Sequence, residues 1–417
     1  MCYQNVPTPM KFDLTFTEAP FTAFCDWYQL TQFQALMHQL DHDGGVSVCM
    51  KYTVRTKGAN TARLKDALRE AIDRFEDRHV LLPEELPFIR QVRYMKPVFI
   101  DNLRDLRLHP KDYVQITEKD GELNIVIEGG IQAILFEQPI LAIISELWSQ
   151  ITFPSAADRL AASRRAVTQL DTEIDKIKRA AAANPEKAIR LTEAGTRRRF
   201  SLDHQREILL RMRDTIPDQL FGTSNIRFAK EMDLRLVGTQ AHLFGMFFQQ
   251  HGGTLATFPR RAMQAWVNEY RGDLGYMLPD VLTTKAWLRH VDLYFAKLFD
   301  GFRQDSGDPH VWSQLIIDHL NGLGIDPASK FAVYSDTLNV DSMLALWKRY
   351  EGNPWKTSYL IGTFLTNNVP GHKALSQVIK LSAVNGQSVA KISDEPIKAT
   401  CENMEFIANL KKTFDIA

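Results

Sequence analysis

Six short apolar segments of this sequence each run into a turn of small polar residues, and that repetition limits the fold more than any other feature. They read AGTRRRFS (194–201), FGTSN (221–225), LVGTQAH (236–242), FRQDSGDP (302–309), VYSDTLN (333–339) and LIGTFLT (360–366). Helix-like stretches separate most of them, and the last three lie about 27–31 residues apart. One strand, one helix and two loops use that much chain, so the pattern predicts βα alternation around a parallel sheet. In such sheets the working loops gather at the carboxyl ends of the strands. All six turns fall there, which makes that face the place to look for chemistry.

The two ends of the chain read differently. Val46, Val48, Met50, Tyr52 and Val54 alternate through 46–55, as in a half-buried strand. Leu64, Leu68, Ile72 and Phe75 then recur at helical spacing among charged residues. A second strand, LNIVIEG from Leu123, leads into an apolar helix around Leu141 to Trp148. Near the C-terminus VIKLSAV and SVAKIS flank Asn385-Gly386, a pair suited to the positive φ angles of a tight hairpin. Between these α+β ends and the turns, Asp158 to Ala194 reads as charged, solvated helices interrupted by Pro185.

Composition excludes several classes. With 417 residues there is room for two or three domains. Fifty Lys plus Arg balance fifty Asp plus Glu, so the broad positive field of a nucleic-acid or anionic-membrane binder is missing. Neither partner is expected. Cys2, Cys25, Cys49 and Cys401 form no C-x-x-C pair or zinc-spaced cluster and read as reduced thiols. Met1 to Glu18 lacks a signal-peptide pattern, and Glu137, Gln138, Pro139 and Glu146 break the apolar stretch 131–153. A soluble, cytoplasmic protein is expected.

Several residues could carry chemistry. Gly362-Thr363 and Gly222-Thr223-Ser224-Asn225 are turns whose N–H groups and hydroxyls suit phosphate oxygens, although neither GxxxxGK[ST] nor GxGxxG occurs. Arg197-Arg198-Arg199 could clamp a carboxylate or phosphate, or form a solvated charge run. Asp305 and Asp308 share one glycine-containing turn, fit for Mg²⁺, directly or through water, or for ribose hydroxyls, and equally for a plain Asx turn. Ser335-Asp336 repeats the idea on the next strand. His242 follows Gly238-Thr239-Gln240 and opens the apolar run LFGMFF. No G-x-S-x-G or HExxH supports a hydrolase or zinc peptidase.

As an ordered set, GTRRRFS, GTSN, GTQAH, DSGDP, SD-x-L and IGT-x-LT resembles the nicotinate phosphoribosyltransferase family. CDWYQLTQFQALMHQ (25–39) looks like the family's opening D-x-Y-x-L helix, and the tail around VIKLSAVNGQSVAKISDEP resembles its closing hairpin. The resemblance implies an α/β fold. An N-terminal α/β sandwich domain (1–150, completed by 377–417) would precede an irregular α/β barrel (151–376), in a homodimer. It implies attack of the pyridine nitrogen of nicotinate on C1 of phosphoribosyl pyrophosphate, with Mg²⁺, releasing pyrophosphate. ATP hydrolysis would be coupled through a phosphohistidine, in the first step of NAD salvage from nicotinate. His242 would be that histidine. Arg197 to Arg199 would read the carboxylate, and Asp305 and Asp308 would face ribose, pyrophosphate and Mg²⁺. Gly362-Thr363 would hold the 5′-phosphate, and Tyr28 would stack in the partner subunit's site.

Three positions depart from the family pattern. Ala194 stands where an aromatic is usual, leaving Phe200 as a candidate face for the ring. Leu360 replaces the first glycine of G-I-G-T, and Leu243 follows His242 where an acid is common. Two other readings remain at this stage. One is a related enzyme acting on nicotinamide or quinolinate; the other is an altered homologue that binds nucleotide or phosphate as a sensor.

Overall fold

The computed structural model describes residues 11–40, 45–395, 398–399, 401 and 403–416. The alternation at 46–55 becomes the strand Val48–Val54, with Val48, Met50 and Tyr52 turned inward. It is the centre of a five-stranded antiparallel sheet. Gln377–Val384 pairs on one side and Glu122–Gly129 on the other, and Gln387–Ser388 and Val114–Lys119 form the edges. Asn385 and Gly386 take φ of 50° and 71° between the last two strands of the chain, as a tight hairpin turn requires. The apolar helix Glu137–Thr152 is buried along most of its length. Its hydrophobicity therefore serves the core of the molecule, since most of the stretch Ile131–Thr152 is buried.

The second sheet is all parallel, in the order Leu220–Thr223, Leu191–Glu193, Lys356–Ile361, Phe331–Tyr334, Gly301–Gln304, Tyr276–Met277. The segment around Leu236 curls it into an irregular α/β barrel. Leu236 pairs with Thr223, while Thr239 Oγ1 donates to the carbonyls of Leu274 and Tyr276 at 3.2 and 3.1 Å. Five of the six small-polar turns leave the end of a strand directly, and the sixth follows the Leu236 pairing.

Leu191–Glu193 lies at the end of a stretch whose composition reads as helix. The charged helix Ala156–Ala183 stops two residues before Pro185, and the strand that follows is too short and too buried for alternation to show. Cys25 and Cys49 are free thiols, Cys401 Sγ lies 3.4 Å from Asn403 O, and Cys2 lies outside the described residues. The helix Trp27–Leu40 is seated on the barrel at its first residue, where Trp27 N donates to Ser224 O at 2.7 Å. That contact brings the N-terminal region onto the functional face.

Candidate active site

A cavity of about 620 Å³ opens at the carboxyl ends of the parallel strands, with part of the antiparallel sheet as its other wall. Seven cationic side chains line it (Arg55, Arg197, Arg198, Arg303, Lys380, Lys391, Lys398) against four carboxylates (Asp26, Glu137, Asp305, Asp336). The whole chain is neutral, so this excess is local, and a semi-enclosed cavity with such walls focuses its field on an anion. Burial, then Lys391 and Arg197, brings the Lys380 amine down to about 7. Burial, then Arg197 and Arg55, brings Arg198 to about 9. A bound polyanion would relieve both.

His242 lies in a hydrogen-bonded cluster on one wall. Its Nε2 donates to Asp280 Oδ1 at 2.8 Å, and Asp305 Oδ2 lies 3.5 Å from the same nitrogen. Asp280 is itself held by Lys391 Nζ at 2.8 Å and by the Ser306 hydroxyl at 2.7 Å. Burial pushes the imidazole down to about 4, and Lys391 adds to the effect against Asp280. Burial opposes ionisation of Asp280 as well, but His242 and Lys391 outweigh it and hold the carboxyl well below its usual range. The ring is therefore neutral at pH 7 with its proton on Nε2, which leaves the Nδ1 lone pair as the nucleophilic atom.

Asp305 follows the same logic. Arg303, then His242, overcome the burial penalty and keep it ionised. Arg303 Nη2 and Ser335 Oγ both donate to Asp305 Oδ1 at 2.9 Å. Asp336 accepts from Lys398 Nζ at 2.6 Å at the cavity edge.

The arginine turn forms a second wall. Arg197 sits with Tyr28, Glu137 and Asp26, whose charges favour its cation although burial opposes it. Tyr28 donates to Glu137 Oε1 at 3.3 Å. Two glycines allow the turns to touch: a Cβ on Gly362 would come 2.7 Å from Ala194 O, and one on Gly195 would come 2.2 Å from Thr366 Oγ1.

Tyr28, Arg197, Arg198, Ser224, His242, Asp305, Ser335, Asp336, Gly362 and Thr363 thus share one cavity. Five expected residues do not line it. Arg199 is fully buried, with Nη2 and Nε 2.7 and 2.8 Å from Glu146 Oε1, over the Phe24 ring. It caps the one-turn 3-10 helix Thr196–Arg198 in an extended conformation, and its side chain leaves on the core side. Phe200 packs with Ala162, Ala166 and Val369 and offers no face to a ligand. Thr223 and Asn225 are spent inside the protein, on Glu193, Ala23 and the first turn of helix Ile226–Met232. Asp308 caps the helix Pro309–Gly322, accepting from His310 N and Val311 N, and stands exposed. The geometry there is that of an Asx turn and helix cap, and the carboxylate that lies with Asp305 and His242 is Asp280. Tyr28 lines the cavity of its own chain.

Arg55, Glu137, Arg303, Lys380, Lys391 and Lys398 complete the cavity, and Asp280 backs His242 from behind it, without having been singled out in the sequence. Arg303 had a readable signal, because strand alternation puts it on the same face as Asp305. Lys380 also had one, as a lysine inside the apolar run VIKLSAV. Asp280, in MLPDVL, had none.

Removing the Arg199 guanidinium would strand Glu146 in the core. We expect Arg199→Ala to lower stability by about 3–5 kcal/mol, the usual cost of breaking a buried pair. Urea unfolding checks this, and an unchanged midpoint would return Arg199 to the list of ligand-facing residues.

A barrel enzyme whose cation-lined cavity takes a phosphorylated small molecule, beside a neutral nucleophilic histidine, is the class that this fold and site define. Residues 189–417 match the model of the nicotinate phosphoribosyltransferase (NAPRTase) family, and 24–145 match its N-terminal domain. The chain belongs to that family. It is 38% identical over 392 residues to a nicotinate phosphoribosyltransferase of Pseudomonas savastanoi pv. phaseolicola, spanning 94% of this chain and 93% of the relative. The crystal structure of nicotinate phosphoribosyltransferase from Vibrio cholerae superposes with a TM-score of 0.88 at 32% identity, over 99% of this chain and 95% of that one. The enzyme from Porphyromonas gingivalis gives 0.85 at 26% identity, over 95% and 100%.

Proposed function

We propose that this chain joins nicotinate to phosphoribosyl pyrophosphate, forming nicotinate mononucleotide and pyrophosphate, and that ATP drives the step through a phosphate on His242. The observation that carries the reading is the cavity itself: an arginine and tyrosine corner for a pyridine acid shares one space with Asp305, His242 and the lysine wall. The pyridine nitrogen attacks C1 as the bond from C1 to the pyrophosphate oxygen breaks, and the bonding pair leaves on pyrophosphate. Positive charge develops on the ribose ring, and the ionised Asp305 is placed to stabilise it. Arg197 orients the carboxylate of nicotinate, and Lys380 and Lys391 meet the departing charge.

Phosphoribosyl pyrophosphate enters as its magnesium complex. Asp305 Oδ1 is occupied by Arg303 and Ser335, so Oδ2 is the atom left for that ion or its waters, and the hard oxygen suits it. ATP phosphorylates His242 at Nδ1, and the added charge beside the lysine wall changes the relative affinity for substrates and products. Both the Tyr28 corner and the lysine wall come from one chain. A homodimer would hold two such sites.

Comparison of pyridines tests the proposal. With phosphoribosyl pyrophosphate, Mg²⁺ and ATP, kcat/KM for nicotinate should exceed that for nicotinamide by about 10²-fold or more, because the neutral amide forms no ion pair with Arg197. Equal or better turnover of nicotinamide or quinolinate would replace the substrate assignment, and binding without turnover would favour the sensor reading.

A further inference from the structure

The two turns that form the pyridine corner are carried by adjacent parallel strands, Leu191–Glu193 and Leu220–Thr223, and one buried carboxyl group joins them. Glu193 is fully buried and lies outside the cavity wall. Its Oε1 accepts from Gly195 N at 2.6 Å and from Gln205 Nε2 at 3.0 Å. Its Oε2 accepts from Thr223 Oγ1 at 2.6 Å, and its carbonyl accepts from Ser224 N at 2.9 Å. One residue thus fixes the start of the arginine turn and the residue before Ser224. No cation pairs with it among the described residues, and burial, with Asp26 adding to it, brings its carboxyl up to about 7. An apolar side chain would fill such a position at lower electrostatic cost, so the carboxyl calls for a reason beyond packing.

We infer that Glu193 is a positioning residue for the pyridine-acid corner, setting the separation between Arg197 on one turn and Ser224 on the next. It touches no substrate. Displacement of a binding group by about 1 Å can cost on the order of 10²-fold, and the bond from Gly195 N ties the first glycine of that turn to Glu193, while Gly195 O takes the Thr366 hydroxyl at 3.1 Å. The effect is local to the corner. Asp305, His242 and the lysine wall stand on other elements and keep their places when Glu193 changes.

The inference rests on the reading of that corner as the nicotinate site, and its test separates the two. Glu193→Gln conserves shape and can still accept from Gly195 while donating to the Thr223 hydroxyl; Glu193→Ala cannot. Amide hydrogen exchange without any ligand should show 194–199 and 223–225 losing protection together in Glu193→Ala and holding it in Glu193→Gln. Calorimetry should show nicotinate binding at least 10-fold weaker in Glu193→Ala, within 3-fold of the parent in Glu193→Gln, and phosphoribosyl pyrophosphate binding within 3-fold in both. Unchanged exchange in Glu193→Ala overturns the positioning role, and so does equal weakening of both ligands, which would mean general loosening. A parent protein that shows the exchange pattern but binds no nicotinate contradicts the substrate reading and leaves the tie between the turns standing.

Discussion

Asp305→Asn is expected to lower kcat for phosphoribosyl transfer by on the order of 10²-fold or more, with the protein still folded and its substrates still bound. The substitution keeps the size of the side chain and removes the one charge that sits beside both His242 and Ser335. Losses of that order follow when a group matched to transition-state charge is removed. The cost should fall on kcat, because the charge it offsets appears as the bond at C1 breaks. Arg303, which now neutralises Asp305, would gain an uncompensated charge toward the sugar pyrophosphate, so KM for that substrate should fall or hold steady. Near-normal kcat in a steady-state assay would remove Asp305 from the chemistry.

The second large effect concerns His242. In His242→Asn the transfer of phosphoribosyl to nicotinate should persist at a basal rate, while the gain from ATP disappears. A neutral imidazole with its Nε2 proton on Asp280 is a competent acceptor for the γ-phosphoryl group, and in-line transfer to it depends mostly on positioning and charge neutralisation. Incubation with γ-labelled ATP should give an acid-labile, base-stable label in the parent and none in the variant. A purely structural histidine predicts lost stability with ATP dependence unaltered. Label that survives undiminished in His242→Asn would rule out this atom as the acceptor.

Which parts of this could be read from the sequence follows from how each residue is used. The barrel was legible because βα spacing and small-polar turns are local patterns, and the six turns do gather at one face. His242, Asp305 and Gly362 were legible because each lies in or next to a small-polar turn that a local pattern marks. Arg199 was not distinguishable from Arg197 and Arg198, since whether an arginine meets a ligand or Glu146 depends on a partner 53 residues away. Asp308 met a local competitor, the first turn of the helix it caps. Asp280 and Lys391 gain meaning only when the chain folds them onto His242, and the tail that carries Lys391 comes from the far end of the sequence. The resemblance gives Tyr28 a place in a neighbour's site, and the bond from Trp27 to Ser224, which no local pattern announces, seats it beside the cavity of its own chain.

The measurement closest to the central claim is product analysis of a single incubation. Purified protein is mixed with ring-labelled nicotinate, phosphoribosyl pyrophosphate, Mg²⁺ and ATP, and the products are separated by chromatography. The account predicts labelled nicotinate mononucleotide, with one pyrophosphate released for each molecule formed and phosphate released from ATP alongside. Recovery of unaltered nicotinate under conditions where the protein is folded and binds phosphoribosyl pyrophosphate would contradict it.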